Sequence, residues 1–166
     1  MSRAFVKEGT GELEPLPDLP ISAHPNYVTP RGLAVLKARL LARQTDLTAL
    51  KARAERLDRL PEAAAERDIR YLEARLRSAI LVEAATRPVT EVQFGCRIVV
   101  DADGQEQVFE IVGEDEADAA LGRIAPQSPL ARALIGTEVG DTVVWRRPSG
   151  ALELEVLDIE PIDPSA

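Results

Sequence analysis

The chain has 166 residues and a formal net charge of −8, and its 45% hydrophobic content suffices to bury the core of one ordinary domain or two small ones. A single cysteine (Cys96) and a single histidine (His24) exclude an internal disulfide framework, a cysteine-rich zinc site and most histidine-based catalysis. Three Phe, two Tyr and one Trp, scattered from Phe5 to Trp145, are too few for a protein that reads single-stranded nucleic acid by stacking.

The negative total hides a division: −2 over residues 1–28, +5 over 29–87 and −11 over 88–166. Such asymmetry points to two bodies that meet different partners. Residues 1–28 hold Pro15, Pro17, Pro20 and Pro25 with Gly9 and Gly11. Proline removes backbone donors and little apolar surface offsets the ordering entropy, so this piece reads as an extended or disordered arm acting as a linker. No apolar stretch approaches the ~20 residues of a membrane helix and no signal-peptide pattern opens the chain, so a cytoplasmic protein is expected.

Residues 29–87 have helical period. Thr29 suits an N-cap and Pro30 the first helical position. Leu33, Leu36, Leu40, Leu47, Leu50, Ala54 and Leu57 follow the alternating three-four spacing of a heptad seam, interrupted only by Arg43. The spacing predicts one helix from Pro30 to about Arg59, ended by Pro61. A second helix starts there, with a seam of Ala65, Ile69, Leu72, Leu76 and Ala79, and Ile80 and Val82 adding apolar surface. The short turn makes them an antiparallel coiled-coil hairpin, about 28 residues out and about 22 back. Polar residues outside the seam favour a projecting arm over helices folded onto a globular core.

Residues 88–166 change to period two. Val92, Phe94 and Arg97 to Val100, then Val108 to Val112, read as strands around a turn at Asp103-Gly104. Arg123 to Ala125 is a short strand, and Ser128 to Gly136 spells a small helix with Ser as cap, Pro inside and Gly beyond the end. Thr142 to Arg146 and Leu152 to Val156 form a hairpin around Pro148-Ser149-Gly150. The fold class is therefore α+β, an antiparallel sheet with one short helix following the helical hairpin.

Little in the chain carries chemistry of its own. The glycines are scattered turn residues rather than a phosphate loop, and Cys96 reads as a buried small hydrophobe inside a strand. Glu114 to Asp118 puts four carboxylates into five residues, read as an exposed acidic turn because no calcium-loop spacing is present. Asp58 and Glu62, with Glu66 and Asp68 behind them, lie at the bend of the hairpin. Carboxylates there either complete a magnesium site supplied by another protein or pair with Arg56, Arg59 and Arg67.

The order of these features resembles the bacterial Gre (GreA/GreB) transcript-cleavage factors. The similarity begins at Thr29-Pro30-Arg31-Gly32 and returns at Leu72-Glu73-Ala74-Arg75-Leu76. Its most specific parts are Val92-Gln93-Phe94-Gly95, the run Ile111 to Asp118, the run Ser128 to Gly136, and Val139-Gly140-Asp141. The resemblance implies an FKBP-like C-terminal domain that docks on bacterial RNA polymerase, here through Gln127, Ser128 and Pro129. It further implies a coiled coil that enters the secondary channel, where acidic tip residues share the polymerase's magnesium at the 3′ end of the nascent RNA. Those residues would be Asp58 and Glu62, with Lys37, Arg39, Lys51, Arg53 and Arg56 available to RNA phosphates and the channel wall. The tip departs from the family motif of an Asp, a Glu-Asn pair and a following Tyr. Asp58-Arg59-Leu60-Pro61-Glu62-Ala63 stands in its place, and the arm is shorter. A metal site tolerates little misplacement of its ligands. The expectation is thus a polymerase-binding regulator of elongation, monomeric when acting, with no active site, cofactor or membrane contact of its own and without cleavage stimulation. Two alternatives follow from the same residues: a peptidyl-prolyl isomerase built on the FKBP-like domain, and a structural dimer of the coiled coil.

Overall fold

A computed structural model describes residues 14–55, 58–85 and 87–163. Helix α1 (Pro30–Lys51) opens as its sequence demands, with Pro30 in the first turn and the Thr29 hydroxyl accepting a hydrogen bond from the Gly32 amide at 2.9 Å. It ends at Lys51 after 22 residues, about 33 Å, rather than near Arg59. Helix α2 (Leu60–Ser78) carries Pro61 in its first turn. Beyond Leu50 the seam of α1 therefore has no facing residue, Ala54 is left exposed, and the guanidinium of Arg53 closes the connection by donating to the carbonyls of Leu50 and Asp58. Leu57, the last predicted seam position, lies outside the described residues. The hairpin has 22 residues out and 19 back, shorter than the seam pattern predicts.

Leu36 and Leu72 are the buried centre of the hairpin, with Val28 beneath them and Leu33, Leu40 and Leu76 packed around. Ile80 and Val82 do not prolong the second seam. The chain turns extended at Ala79, and Ile80–Leu81 (β2) pairs in parallel with Tyr27–Val28 (β1). The amides of Ile80 and Val82 donate to the carbonyls of Asn26 and Val28 at 2.8 and 2.9 Å, which outweighs the helix for two β-branched residues.

The remaining strands form one sheet. β3 (Cys96–Ala102), β4 (Gln105–Ile111), β5 (Arg123–Ile124), β6 (Thr142–Arg147) and β7 (Gly150–Pro161) stand in the order β5-β4-β3-β7-β6, antiparallel except for β4–β5. Asp103 and Gly104 join β3 to β4 with φ of 54° and 81°, the left-handed pair that a two-residue hairpin needs. Val92 and Phe94 precede the sheet instead of opening it, since Gln93 to Gly95 form a turn with Gly95 at φ 84°. Helix α3 (Pro129–Leu134) lays Leu130, Ala131 and Leu134 on Ile98, Val100, Leu154 and Val156, all of them buried. β6 is a free edge, and its last two residues are Arg146 and Arg147, the latter 5.3 Å over the Trp145 ring. Among the described residues no helix is long and apolar enough to cross a membrane.

Candidate functional site

Of the acidic run 114–118, Ala117 and Asp118 are exposed as an acidic turn would be, but Glu114 to Glu116 are not: they form the socket that receives the base of the hairpin. Arg75 of α2 is 1% exposed; its Nε donates to Asp115 at 2.5 Å and its Nη2 to Asn26 at 2.7 Å and Glu114 at 3.4 Å. Asp115 also accepts the Tyr71 hydroxyl at 2.6 Å, and its carbonyl accepts Arg39 at 3.1 Å. From α1, Arg31 donates to Glu116 and Glu110, both at 2.5 Å, and the Thr29 hydroxyl donates to the other oxygen of Glu116 at 2.6 Å. Each helix is thus pinned at its base by a guanidinium in contact with two carboxylates.

Burial alone opposes the charge on Arg31, but hydrogen bonds and attraction from Glu110 and Glu116 outweigh it and push its pKa up. Burial and the bond to Asp115 push the Tyr71 phenol up to about 12. The close approach also needs glycine. A Cβ on Gly113 would stand 2.5 Å from the Tyr27 carbonyl oxygen, and one on Gly32 would stand 2.5 Å from Glu116 Oε2.

At the tip, the structure separates the two carboxylates that sequence reasoning puts together. Asp58 is exposed, and its Oδ1 accepts from the Leu60 amide at 2.9 Å in a side-chain turn just ahead of α2. Glu62 is 3% exposed and faces inward, with Arg59 at 3.8 Å and Arg53 at 3.9 Å. A carboxylate turned into the hairpin between two guanidiniums does not suit magnesium, which wants accessible oxygens free of competing cations. Among the described residues no group of three or more His, Cys, Asp or Glu side chains is placed to hold a metal ion. Lys51 reaches across the hairpin to Glu66 at 2.8 Å, Arg53 is engaged within the tip, and Lys37 is exposed on α1. Arg56 lies outside the described residues.

Ser128 caps α3, its hydroxyl accepting from the Ala131 amide at 3.2 Å, and Pro129 follows it exposed in the first turn. Gln127 is half-buried, and its Oε1 is buried with no hydrogen-bond partner among the described residues. These three residues do sit together ahead of one short helix.

An isomerase needs a concave pocket walled by aromatic rings. Phe109 and Trp145 instead pack edge-to-face at 6.3 Å against the core of the sheet, and Phe94 lies against Tyr27 at 5.8 Å. The cavity beside Cys96, about 200 Å³, has Phe94 as its single aromatic wall. The larger hollows, about 450 and 580 Å³, lie along the helices, lined by residues such as Arg43, Asp46 and Asp68.

A basic two-helix rod locked by buried ion pairs onto an acidic sheet domain defines an α+β protein whose projecting arm is aimed by its compact body. The family described as "Transcription elongation factor, GreA/GreB, C-term" matches residues 87–161. The transcription elongation factor GreA of Pseudomonas putida is 42% identical over 100 residues, 58% of this chain and 62% of that protein. The transcription elongation factor GreB of Neisseria meningitidis is 43% identical over 99 residues, 58% of this chain and 61% of that protein. The matched region thus spans about three fifths of those relatives' own length. The crystal structure of GreA factor homolog 1 (Gfh1) from Thermus thermophilus is 22% identical, covering 82% of this chain and 99% of its own, with a TM-score of 0.40. Residues 87–161, the sheet domain, are thus similar to the C-terminal domain of the GreA/GreB elongation factors.

Proposed function

We propose that the protein is a regulator of transcription elongation that binds bacterial RNA polymerase in the cytoplasm, as a monomer, and inserts its hairpin into the secondary channel without stimulating transcript cleavage. The observation that carries this reading is the joint. With Arg75 buried and Arg31 half-buried against the 110–116 carboxylates, docking of the sheet domain also fixes the direction in which the rod points. The exposed cations of α1, Lys37 foremost, face a channel that carries RNA. Gln127, Ser128 and Pro129 belong to the docking side in this reading. The polymerase's magnesium is left to the polymerase's own ligands in this reading, because Glu62 faces inward between two guanidiniums and Asp58 is engaged by the Leu60 amide.

The test uses purified protein, bacterial RNA polymerase and arrested complexes with end-labelled RNA. Binding, competition with a GreA cleavage factor and uncut RNA are expected. Shortening of the RNA that disappears in an Asp58→Ala, Glu62→Ala double variant would overturn the part that denies cleavage, and absence of binding would overturn the whole.

A further inference from the structure

The two borders of the sheet are finished differently. One is β5, two residues long and paired in parallel with β4. The other is β6, whose six residues pair with β7 without a break in register and leave a free flank. Arg147 and Gly150 close the Pro148-Ser149 connection as a hydrogen-bonded pair, and alternation along an antiparallel ladder makes Trp145 and Val143 bond to β7 as well. The Val156 amide donates to the Asp141 carbonyl at 2.9 Å, which continues the same parity. Thr142, Val144 and Arg146 therefore turn their amides and carbonyls away from β7. All three are exposed, Val144 by 48%. Neither a proline nor a bulge, the devices that blunt such a flank, interrupts them.

Charge is spread unevenly about this flank. The basic side chains of residues 88–166 are five arginines among a large excess of acids. Arg97 pairs with Glu160 and Arg123 with Glu110, both at 3.3 Å. Arg132, Arg146 and Arg147 meet no carboxylate among the described residues. Arg132 is exposed on α3, which packs beside β6, and the other two end β6 itself. Arg147 is held over the Trp145 ring at 5.3 Å and donates to the Gly150 carbonyl at 3.4 Å. A body of net −11 thus gathers its unpaired cations at one border, where they make a local positive field. Glu153 and Glu155 stand exposed opposite Val144 and Thr142, so the far half of the same flank is negative.

We infer that β6 is the acceptor for an extended segment of a partner protein, which joins the five-stranded sheet as a further strand and sets two adjacent carboxylates against Arg146 and Arg147. Main-chain bonds to Thr142, Val144 and Arg146 supply affinity, and side chains supply the choice of partner. Val144 offers an apolar contact on one face of the added strand. Arg146 and Arg147 lie on opposite faces, as neighbours in a strand must, so each takes one of two consecutive acidic residues. Glu153 and Glu155, one strand further in, disfavour carboxylates at the Thr142 end, and charge thereby sets the register. This surface goes beyond the polymerase reading and does not rest on it.

The test uses two fluorescein-labelled peptides of alternating valine and threonine, one ending in paired glutamates and the other in paired lysines. They are titrated against the full chain and two variants. Val144→Pro removes an outward amide and leaves the β7 ladder intact, a substitution that an edge strand accepts, and Trp145 fluorescence checks its fold. R146E/R147E reverses the charge. By fluorescence anisotropy the full chain is expected to bind the glutamate peptide about tenfold more tightly than the lysine peptide, through charge-assisted bonds. Deuterium exchange at the amides of Thr142, Val144 and Arg146 should slow in the complex. Val144→Pro is expected to weaken binding about tenfold, and R146E/R147E to prefer the lysine peptide. Should the proline variant fail to fold, the charge-reversed variant alone decides. Equal affinity for the two peptides, absence of binding up to millimolar peptide, or protection confined to other amides overturns the inference. A peptide-free dimer that Val144→Pro abolishes also overturns it, since a second copy would then occupy the flank.

Discussion

Replacing Arg75 with methionine tests whether the joint governs the stability of the hairpin. The side chain is 1% exposed, and its loss removes bonds at 2.5 Å to Asp115, 2.7 Å to Asn26 and 3.4 Å to Glu114. Asp115, whose side chain is 10% exposed, is then left with the Tyr71 hydroxyl as its remaining side-chain donor. Removing one member of a buried ion pair costs about 3–5 kcal/mol. Methionine keeps the apolar stem, which places the expected loss near the lower end, ~3 kcal/mol, or a fall of about 6–12 °C in Tm for a chain of this size. Trp145 is the single tryptophan and sits in β6, so its fluorescence follows the sheet, while far-UV circular dichroism follows the helices. In urea, the helical signal of Arg75→Met is expected to be lost ahead of the fluorescence signal. Adding Asp115→Asn should recover at least ~1 kcal/mol, because the orphaned carboxylate is the costly element. A single variant within ~1 kcal/mol of the parent, with coincident transitions, would refute the argument.

Three further outcomes follow from particular residues. Gly113→Ala should lower stability by ~1–3 kcal/mol in thermal unfolding, since its Cβ would stand 2.5 Å from the Tyr27 carbonyl oxygen and must push β1 off β2. The Tyr71 phenol, pushed up to about 12, contributes stability that is complete below its ordinary value of ~10 and is lost as pH climbs through 12. Denaturation of the parent and Tyr71→Phe at several pH values should show a gap of ~1 kcal/mol that closes between those limits. Cys96 is 1% exposed and burial pushes its thiol up, so a colorimetric thiol reagent should label it slowly in buffer and quickly in denaturant.

Several elements were readable in the sequence because local rules agree with the global fold there. Thr29-Pro30, Asp103-Gly104 and Ser128-Pro129 each carry their own cap or turn chemistry, and β3 keeps strict alternation from Cys96 to Ala102. The seam of α1 was readable but not its end, because a heptad pattern does not reveal where the partner helix stops facing it. The socket was missed for a related reason. Arg31 and Glu116 are 85 residues apart, and a charge run looks solvated until something far along the chain docks on it. Arg75 offered one clue, since it lies three residues after Leu72 and so on the buried stripe. The proline-rich segment offered another, with Leu16 and Leu19 three residues apart, a period that a search for helices and strands passes over. For Glu62 the sequence left two readings, and the structure places it beside Arg59, one of the pairing partners named, and beside Arg53, which spacing alone did not single out.

The outer flank of β6 has a bearing on colloidal behaviour. A long unprotected border of amides and carbonyls invites another chain to add a strand and begin a fibril. Here that border is six residues long and finishes in Arg146 and Arg147, while Glu153 and Glu155 stand exposed on the neighbouring strand. A second molecule approaching in the parallel sense would bring its own two arginines beside these arginines, so strand addition in that sense is opposed by like charge.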